Sequence, residues 1–219
     1  GRHGLRADFA RYYSPETLRP VMEVKAITHR RDAIYHDIHL GGRDQDHLGG
    51  IPLEGSLYRA VKQSVPTVKN VHLPSSGCSR FHAYVQIKKT AAGQGREAIV
   101  AALGVDRRVK HVVVVDEDIN IFDDAEVLWA VATRSRWDRD MIVIPNLICT
   151  TRDPTAYAGS PGDLSYHAYT VAKGGIDATM PAPPEPFEIR IKVPEEVMNR
   201  VQLQDYASND LLSKIPLDA

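Results

Sequence analysis

An α/β domain built on a mostly parallel sheet is the fold class this sequence predicts. Three observations carry the prediction. Segments with strand character alternate with segments of helical period from about residue 53 onward. Two of the strand segments, KHVVVVDED and DMIVIPN, have continuous apolar runs, the pattern of strands buried on both faces. The composition is that of an ordinary globular chain, 43% hydrophobic and 25% charged over 219 residues, which is enough to enclose a sizeable core.

The elements follow in order. RPVMEVKAITH (Arg19–His29) alternates apolar and polar side chains at its centre, and DAIYHDIHLGG (Asp32–Gly42) does so less cleanly. With Arg30–Asp32 as a short connection they predict an antiparallel hairpin. Two strands are marginal in water, so this hairpin needs further strands. GGRDQDHLGGIP is rich in Gly and predicts a loop. LEGSLYRAVKQSV then spaces Leu53, Leu57, Ala60, Val61 and Val65 as a helix, which Pro66 ends. TVKNVHLP and FHAYVQIKK predict strands around the turn-rich PSSGCSR. AGQGREAIVAALGV predicts a helix closed at Gly104. DDAEVLWAVATR predicts another, started by a capping box of Asp123 and Glu126. From about Leu147 the pattern fades, and the Gly-, Pro-, Ser- and Tyr-rich stretch to Pro186 predicts no regular structure. VPEEVMNRVQLQDY predicts a short helix opened by Pro194.

Several function classes are disfavoured at this level. The 27 basic and 28 acidic residues give a net charge of −1, so nothing points to a nucleic-acid partner. Cys78 and Cys149 belong to no Cys-x-x-Cys pair, and reduced thiols in a cytoplasmic protein are the expectation. No apolar run is long enough to cross a bilayer, and the first twenty residues lack the apolar segment of a secretory signal.

Three stretches carry candidate chemistry. VVVVDEDINIFDD (Val112–Asp124) ends a strand in acids. Asp116, Asp118 and Asn120 fit the first ligand positions of an EF-hand loop, but Ile121 and Val127 occupy its sixth and twelfth positions, so the pattern fails. The acids stand at the C-terminal end of a parallel strand, where α/β folds tend to place their sites. YHDIHLGGRDQDH gathers His36, His39 and His47 with Asp37, Asp44 and Asp46. It leaves three readings: a solvated loop, a hydrolytic metal site using His36, His39 and Asp46, or a proton-transfer pair, Asp46 and His47, beside Arg43. Against the metal, residues three apart on a strand point to opposite faces. In VAKGGIDAT, Lys173 and two glycines would let an ammonium and backbone amides approach a phosphate, without the full Walker pattern.

AITHRRDAIYHDIHLGGRDQDHLGG, PLEGSLYRAVKQSVPTVKNVHLPSSGCSRFHAYVQIKK, VVVVDEDINIFDDAEVLWAVATR and KGGIDAT, in this order, resemble the UbiD family of decarboxylases from about Arg19 to about Tyr206. The resemblance covers the C-terminal portion of such an enzyme. It implies that residues 1–52 are the last strands of a split β-barrel and that residues 53–219 form a three-layer α/β dimerisation domain with an extended tail. It implies reversible, non-oxidative decarboxylation of an aromatic, heteroaromatic or α,β-unsaturated carboxylic acid. It further implies prenylated FMN with Mn²⁺ and K⁺ as cofactors, and a homodimer or higher homo-oligomer that works with the N-terminal part of the same enzyme. His47 takes the place of a family glutamate in the Gly-Arg-x-x-Asp-Glu segment, Asp46 precedes it, and Lys173 is similar to a lysine near the cofactor phosphate. The family's metal ligands and catalytic arginine lie upstream of these residues, so this chain alone is expected not to decarboxylate. The first residues, GRHGLRADFA, do not resemble the family's preceding segment. A non-catalytic assembly module is the alternative of a different class.

Overall fold

Two-residue strands open the described chain. β1 (Arg2–His3) pairs with β4 (Thr17–Leu18), and β2 (Arg6–Ala7) with β3 (Tyr13–Ser14), all antiparallel. Arg11 turns the chain between β2 and β3 with φ at 61°, and its amide donates to the Asp8 carbonyl. The computed structural model describes residues 2–3, 6–14, 17–18, 20–159 and 169–202. Residues 160–168 of the stretch expected to be irregular, and residues 203–206 of the expected terminal helix, lie outside these.

The hairpin expected over residues 19–42 is not present among the described residues. Residues 20–40 form no strand, and every one of them is exposed. The physical reason is the one the alternation carries with it: such strands need neighbours to pair with, and none of the described strands lies against them.

The next element also departs from expectation. The helix α1 spans Arg43–Ser64, so it takes in the GGRDQDHLGGIP segment predicted as a loop. Asp44 and Asp46 sit in its first turn, where the helix dipole favours negative charge. The Gln45 side chain reaches back to accept from the Gly41 amide at 2.6 Å. Leu53, Leu57 and Val61 form its buried face, and Pro52 is tolerated inside it.

The remaining strands are β5 (Val68–His72), β6 (His82–Ile87), β7 (His111–Asp116), β8 (Met141–Ile148) and β9 (Thr170–Ala178), in the spatial order β5-β6-β7-β9-β8. The central three are parallel and both edge strands are antiparallel. The sheet is therefore mixed rather than mostly parallel. Residues 73–81 join β5 to β6 through one 3₁₀ turn, too short a path for the crossover that a parallel pair needs. β9 falls inside the stretch expected to be irregular. Its glycine pair hides a buried strand: a Cβ on Gly174 would stand 2.3 Å from the Ile142 carbonyl oxygen, and one on Gly175 2.6 Å from the Ile99 side chain. Those close approaches explain why the residues are glycines in a strand rather than in a phosphate loop.

Helices α1 and α2 (Gln94–Val105) share one core with Ala83, Val85, Ile87, Val112 and Val114. Helix α3 (Asp124–Arg134) shares a second core with Tyr84, Val115, Ile119 and Ile121. Successive residues of β6 and β7 thus serve opposite cores, which gives three layers and accounts for the unbroken valine run. Gly104 lies within α2, which closes one residue later. The cap of α3 is half as predicted. Asp123 accepts from the Ala125 amide at 2.8 Å, but Glu126 reaches past Asp123 to the Asn120 amide. The described residues from Pro186 onward belong to a second compact unit, with the one-turn helix α4 (Glu195–Met198) after Pro194.

The acids at the end of β7 are occupied by Arg134, whose side chain is 2% exposed. It holds Asp118 through two bonds of 2.9 and 2.7 Å and Asp116 through one of 3.1 Å, while Asp116 also accepts from the Met180 amide. Burial pushes the Asp116 carboxyl up, against that backbone bond and the guanidinium. The cluster ties α3 to β7 and to the end of β9. Arg134→Met should cost about 3 kcal/mol in urea unfolding, because it strands two carboxylates. Adding Asp116→Asn and Asp118→Asn to it should recover part of that loss.

Candidate functional site at the N-terminal end of the central strands

The polar features that look functional gather at the opposite end of the sheet from Asp116, where α1 begins and β6 and β7 start. Asp46 is the centre. It lies in the first turn of α1 with its side chain fully buried (0% exposed). Its Oδ2 is 3.4 Å from Arg11 Nη2, and its Oδ1 is buried without a hydrogen-bond partner. A buried carboxylate oxygen with nothing to bond is costly in a purely structural role.

Arg80 fixes the place of Asp46. Its guanidinium donates to the carbonyl oxygens of Gln45 (3.2 Å), Asp46 (3.2 Å) and Ser79 (3.1 Å), and it lies over the Phe9 ring at 5.4 Å. Phe9 in turn packs on Phe81. The N-terminal hairpin, the start of α1 and the turn before β6 thus meet on one cation. Burial and the charge of Arg108 lower its pKa, opposed by Asp46 and Asp106. Gly49 makes room for it: a Cβ there would fall 1.5 Å from Arg80 Nη2.

The other predicted residues stand elsewhere. His47 is exposed, one residue and about 100° further round the helix. Its charge lowers the pKa of Glu54, a smaller effect than the bonds Glu54 accepts from His72 (2.9 Å) and from the Leu73 amide; burial is the largest influence on Glu54 and opposes them. Lys173 is on β9, 3% exposed, and donates to the carbonyls of Arg107 (3.0 Å) and Asp106 (3.4 Å). Its desolvation lowers its pKa. Asp106 is sensed by both Lys173 and Arg80, which connects Lys173 to the Asp46 cluster at one remove. His36 and His39 lie on the exposed segment, and among the described residues no three His, Cys, Asp or Glu side chains are arranged to hold a metal. The hydrolytic site from His36, His39 and Asp46 is therefore not assembled: Asp46 is turned into the core while the two histidines face solvent.

Residues that the sequence did not single out complete the region. A cavity of about 220 Å³ opens between the N-terminal turn and the α/β domain, bounded by Tyr12, Cys78, His82, Lys110, His111 and Thr155, among others. The rings of His82 and His111 meet edge to face at 5.3 Å. Burial pushes both imidazole pKa values down; the neighbouring His82 and Lys110 lower His111 further. Cys78, in the left-handed region at φ 56°, has its thiol pushed up by burial and senses Arg11, Asp46 and Arg80. The only sequence signal for the two histidines is their place at the first position of adjacent parallel strands, which needs the register to be known.

This is the architecture of a carboxy-lyase α/β domain: the C-terminal domain of 3-octaprenyl-4-hydroxybenzoate carboxy-lyase matches residues 46–178, and the Rift-related domain of the same enzymes matches residues 1–43. The chain belongs to the UbiD family. The match includes the first ten residues, which the motif resemblance had left out. Anhydromevalonate phosphate decarboxylase of Methanosarcina mazei is 43% identical over 194 residues, 88% of this chain and 43% of that protein. The protein of the same name from Methanothermobacter thermautotrophicus is 40% identical over 180 residues, 82% of this chain and 40% of its own length. The chain thus spans about two fifths of these relatives. Among solved structures, the UbiD-class enzyme HmfF from Pelotomaculum thermopropionicum in complex with FMN is 43% identical with a TM-score of 0.82, over 94% of this chain and 44% of that one. An evolved dimeric form of HmfF in complex with prFMN is 42% identical with a TM-score of 0.76, over 94% and 42%.

Two expected outcomes follow from this geometry. Gly49→Ala should destabilise the fold although alanine favours helices, because Arg80 is pinned by three carbonyls and cannot yield; Gly55→Ala, with nothing within 4 Å of the new Cβ, should gain up to about 1 kcal/mol. Thermal melts of the two variants should move in opposite directions. The second concerns pH. Burial lowers the pKa values of His82 and His111 in the fold, while the unfolded chain takes up protons near the ordinary value of about 6.5. Stability should be full above that pH and fall as the pH drops through it. Urea midpoints at pH 7.5 and 5.5 should differ less in a His82→Gln/His111→Gln variant.

Proposed function

We propose that the chain is the Asp46-bearing portion of a prenylated-FMN-dependent decarboxylase acting on an α,β-unsaturated carboxylic acid. The observation that carries this reading is the Asp46 carboxylate: fully buried, with one oxygen unpartnered, beside Arg11 and over the Arg80 clamp. A decarboxylase must return a proton to the carbon that loses CO₂, and a carboxyl group withheld from bulk water and from other partners suits that task. Asp46 is the proposed proton carrier, and the exposed His47 its proposed contact with solvent.

The cofactor would supply the electron sink for the departing CO₂. The described residues fit one side of its site. Lys173 uses two of its three ammonium protons on carbonyls and keeps the third for the cofactor phosphate. They do not fit a divalent metal, since no three suitable side chains converge among the described residues. No step is therefore assigned to Mn²⁺ or K⁺. Residues 1–52 are proposed to complete a split barrel with chain of the N-terminal part of the enzyme. The exposed Val21, Met22, Ile27, Ile34 and Tyr35 support this, because such side chains call for an apolar cover. The domain from residue 53 is proposed to pair with a second copy, supported by the exposed Leu128, Trp137, Val143 and Ile148. The relatives named as decarboxylases of a phosphorylated acid support a phosphorylated substrate within the proposed class.

The test is CO₂ release by the enzyme produced together with a flavin prenyltransferase, with flavin absorbance as the check on loading. Asp46→Asn should retain the flavin and lose at least about a hundredfold in kcat/KM. Wild-type turnover in Asp46→Asn would remove the carboxylate from the mechanism.

A further inference from the structure

The cavity at the start of β6 and β7 is built from groups that the proton-transfer chemistry leaves unused. His82 and His111 both line it, their rings meeting edge to face at 5.3 Å. Lys110 Nζ, on the same wall, holds both Asp153 oxygens (3.3 and 3.0 Å) and donates to Thr155 Oγ1 (2.7 Å), so it brings a fixed positive charge to the cavity. Asp153 is turned away from the opening. Its side chain is 3% exposed, and its oxygens also accept from the amide and the hydroxyl of Thr155. It therefore orients Lys110 rather than presenting a free carboxylate. Metal binding does not account for the cluster, because no three of its His, Cys and Asp side chains are arranged around one point.

We propose that this cavity is a subsite for a phosphate monoester, and that it receives the phosphoryl end of a small phosphorylated carboxylic acid. The Lys110 ammonium and the His82 and His111 rings line this one cavity and offer donors for separate oxygens of one tetrahedral anion. Phe81, Ala10 and Pro154 supply apolar wall for a short carbon arm. The volume of about 220 Å³ takes a phosphate and a few carbons, below the ordinary range for drug-sized ligands and too small for a flavin ring system. Cys78 lies on the cavity wall and senses the charges of Asp46 and Arg11. A substrate held by its phosphate here would extend its carboxyl end toward the proton carrier. This placement of the substrate rests on the decarboxylase reading; the anion site itself does not.

Anion binding should draw protons onto the two imidazoles. The charged groups that face them are Asp124 toward His82, and Lys110 and Asp153 toward His111, with Tyr12 and Cys78 also on the wall. Sulfate keeps one charge state across the range, so it isolates the protein's titration. Calorimetric titration of the 219-residue chain with inorganic phosphate should show one saturable site. Lys110→Met and His111→Gln should each weaken it at least about fivefold, while the distant Lys62→Met should leave it unchanged. Sulfate affinity should rise at least about fivefold between pH 7.5 and 6.0. His111 is exposed at the mouth, so its variant keeps the test valid if Lys110→Met unfolds. Absence of saturable binding, or binding that neither variant weakens, overturns the site. Competition separates the two sources of a phosphate: displacement by a short alkyl phosphate supports the substrate assignment, and displacement by FMN alone overturns it. In the cofactor-loaded enzyme, His111→Gln should raise KM for a phosphorylated acid and leave an unphosphorylated one unchanged. A loaded enzyme that releases CO₂ from no acid would instead defeat the decarboxylase reading while the anion site stood.

Discussion

One buried guanidinium organises this chain. Arg80 donates to three backbone carbonyls and lies over an aromatic ring, and these bonds join the N-terminal hairpin, the first turns of α1 and the turn that leads into β6. Without it, a helix carrying two consecutive glycines and a proline in its first ten residues would have little reason to begin at Arg43. With it, the helix starts early enough to carry Asp46 into the interior. The cost of burying that carboxylate is met only in part, by Arg11, and one of its oxygens is left unpartnered.

The two ends of the sheet divide the labour. At the C-terminal end of β7, Arg134 closes the acidic cluster with three short bonds, and the carboxylates there serve cohesion between β7, β9 and α3. At the N-terminal end, Asp46 Oδ1 is buried without a partner, and the rings of His82 and His111 line a cavity together with Lys110. Parallel sheets usually bind ligands at the C-terminal end of their strands. Here Phe9 and Arg11 of the N-terminal turn pack at the other end, against Phe81 and Asp46, and the incompletely paired groups lie beside them.

Much of this was readable in the amino-acid sequence, for stated physical reasons. The valine run of β7 announced a strand buried on both faces, and Asp123 announced the start of α3. The motif resemblance named the family and pointed to Asp46. Three features were hidden. The early start of α1 depends on Arg80, a contact across more than thirty positions that local propensity cannot register. Strand β9 looked like a flexible loop because Gly174 and Gly175 are required by close neighbours on β8, β7 and α2 rather than by a turn. The His82–His111 pair exists only through the parallel register of β6 and β7. Each miss is a case of tertiary contact overriding a local signal.

The claim at the centre of this account is that Arg80 holds the first turns of α1 and thereby Asp46. Hydrogen–deuterium exchange of an Arg80→Met variant addresses it directly. The account predicts faster exchange at residues 43–52, with residues 53–64 still protected by the buried Leu53, Leu57 and Val61 face. Wild-type protection across residues 43–52 in that variant would contradict it.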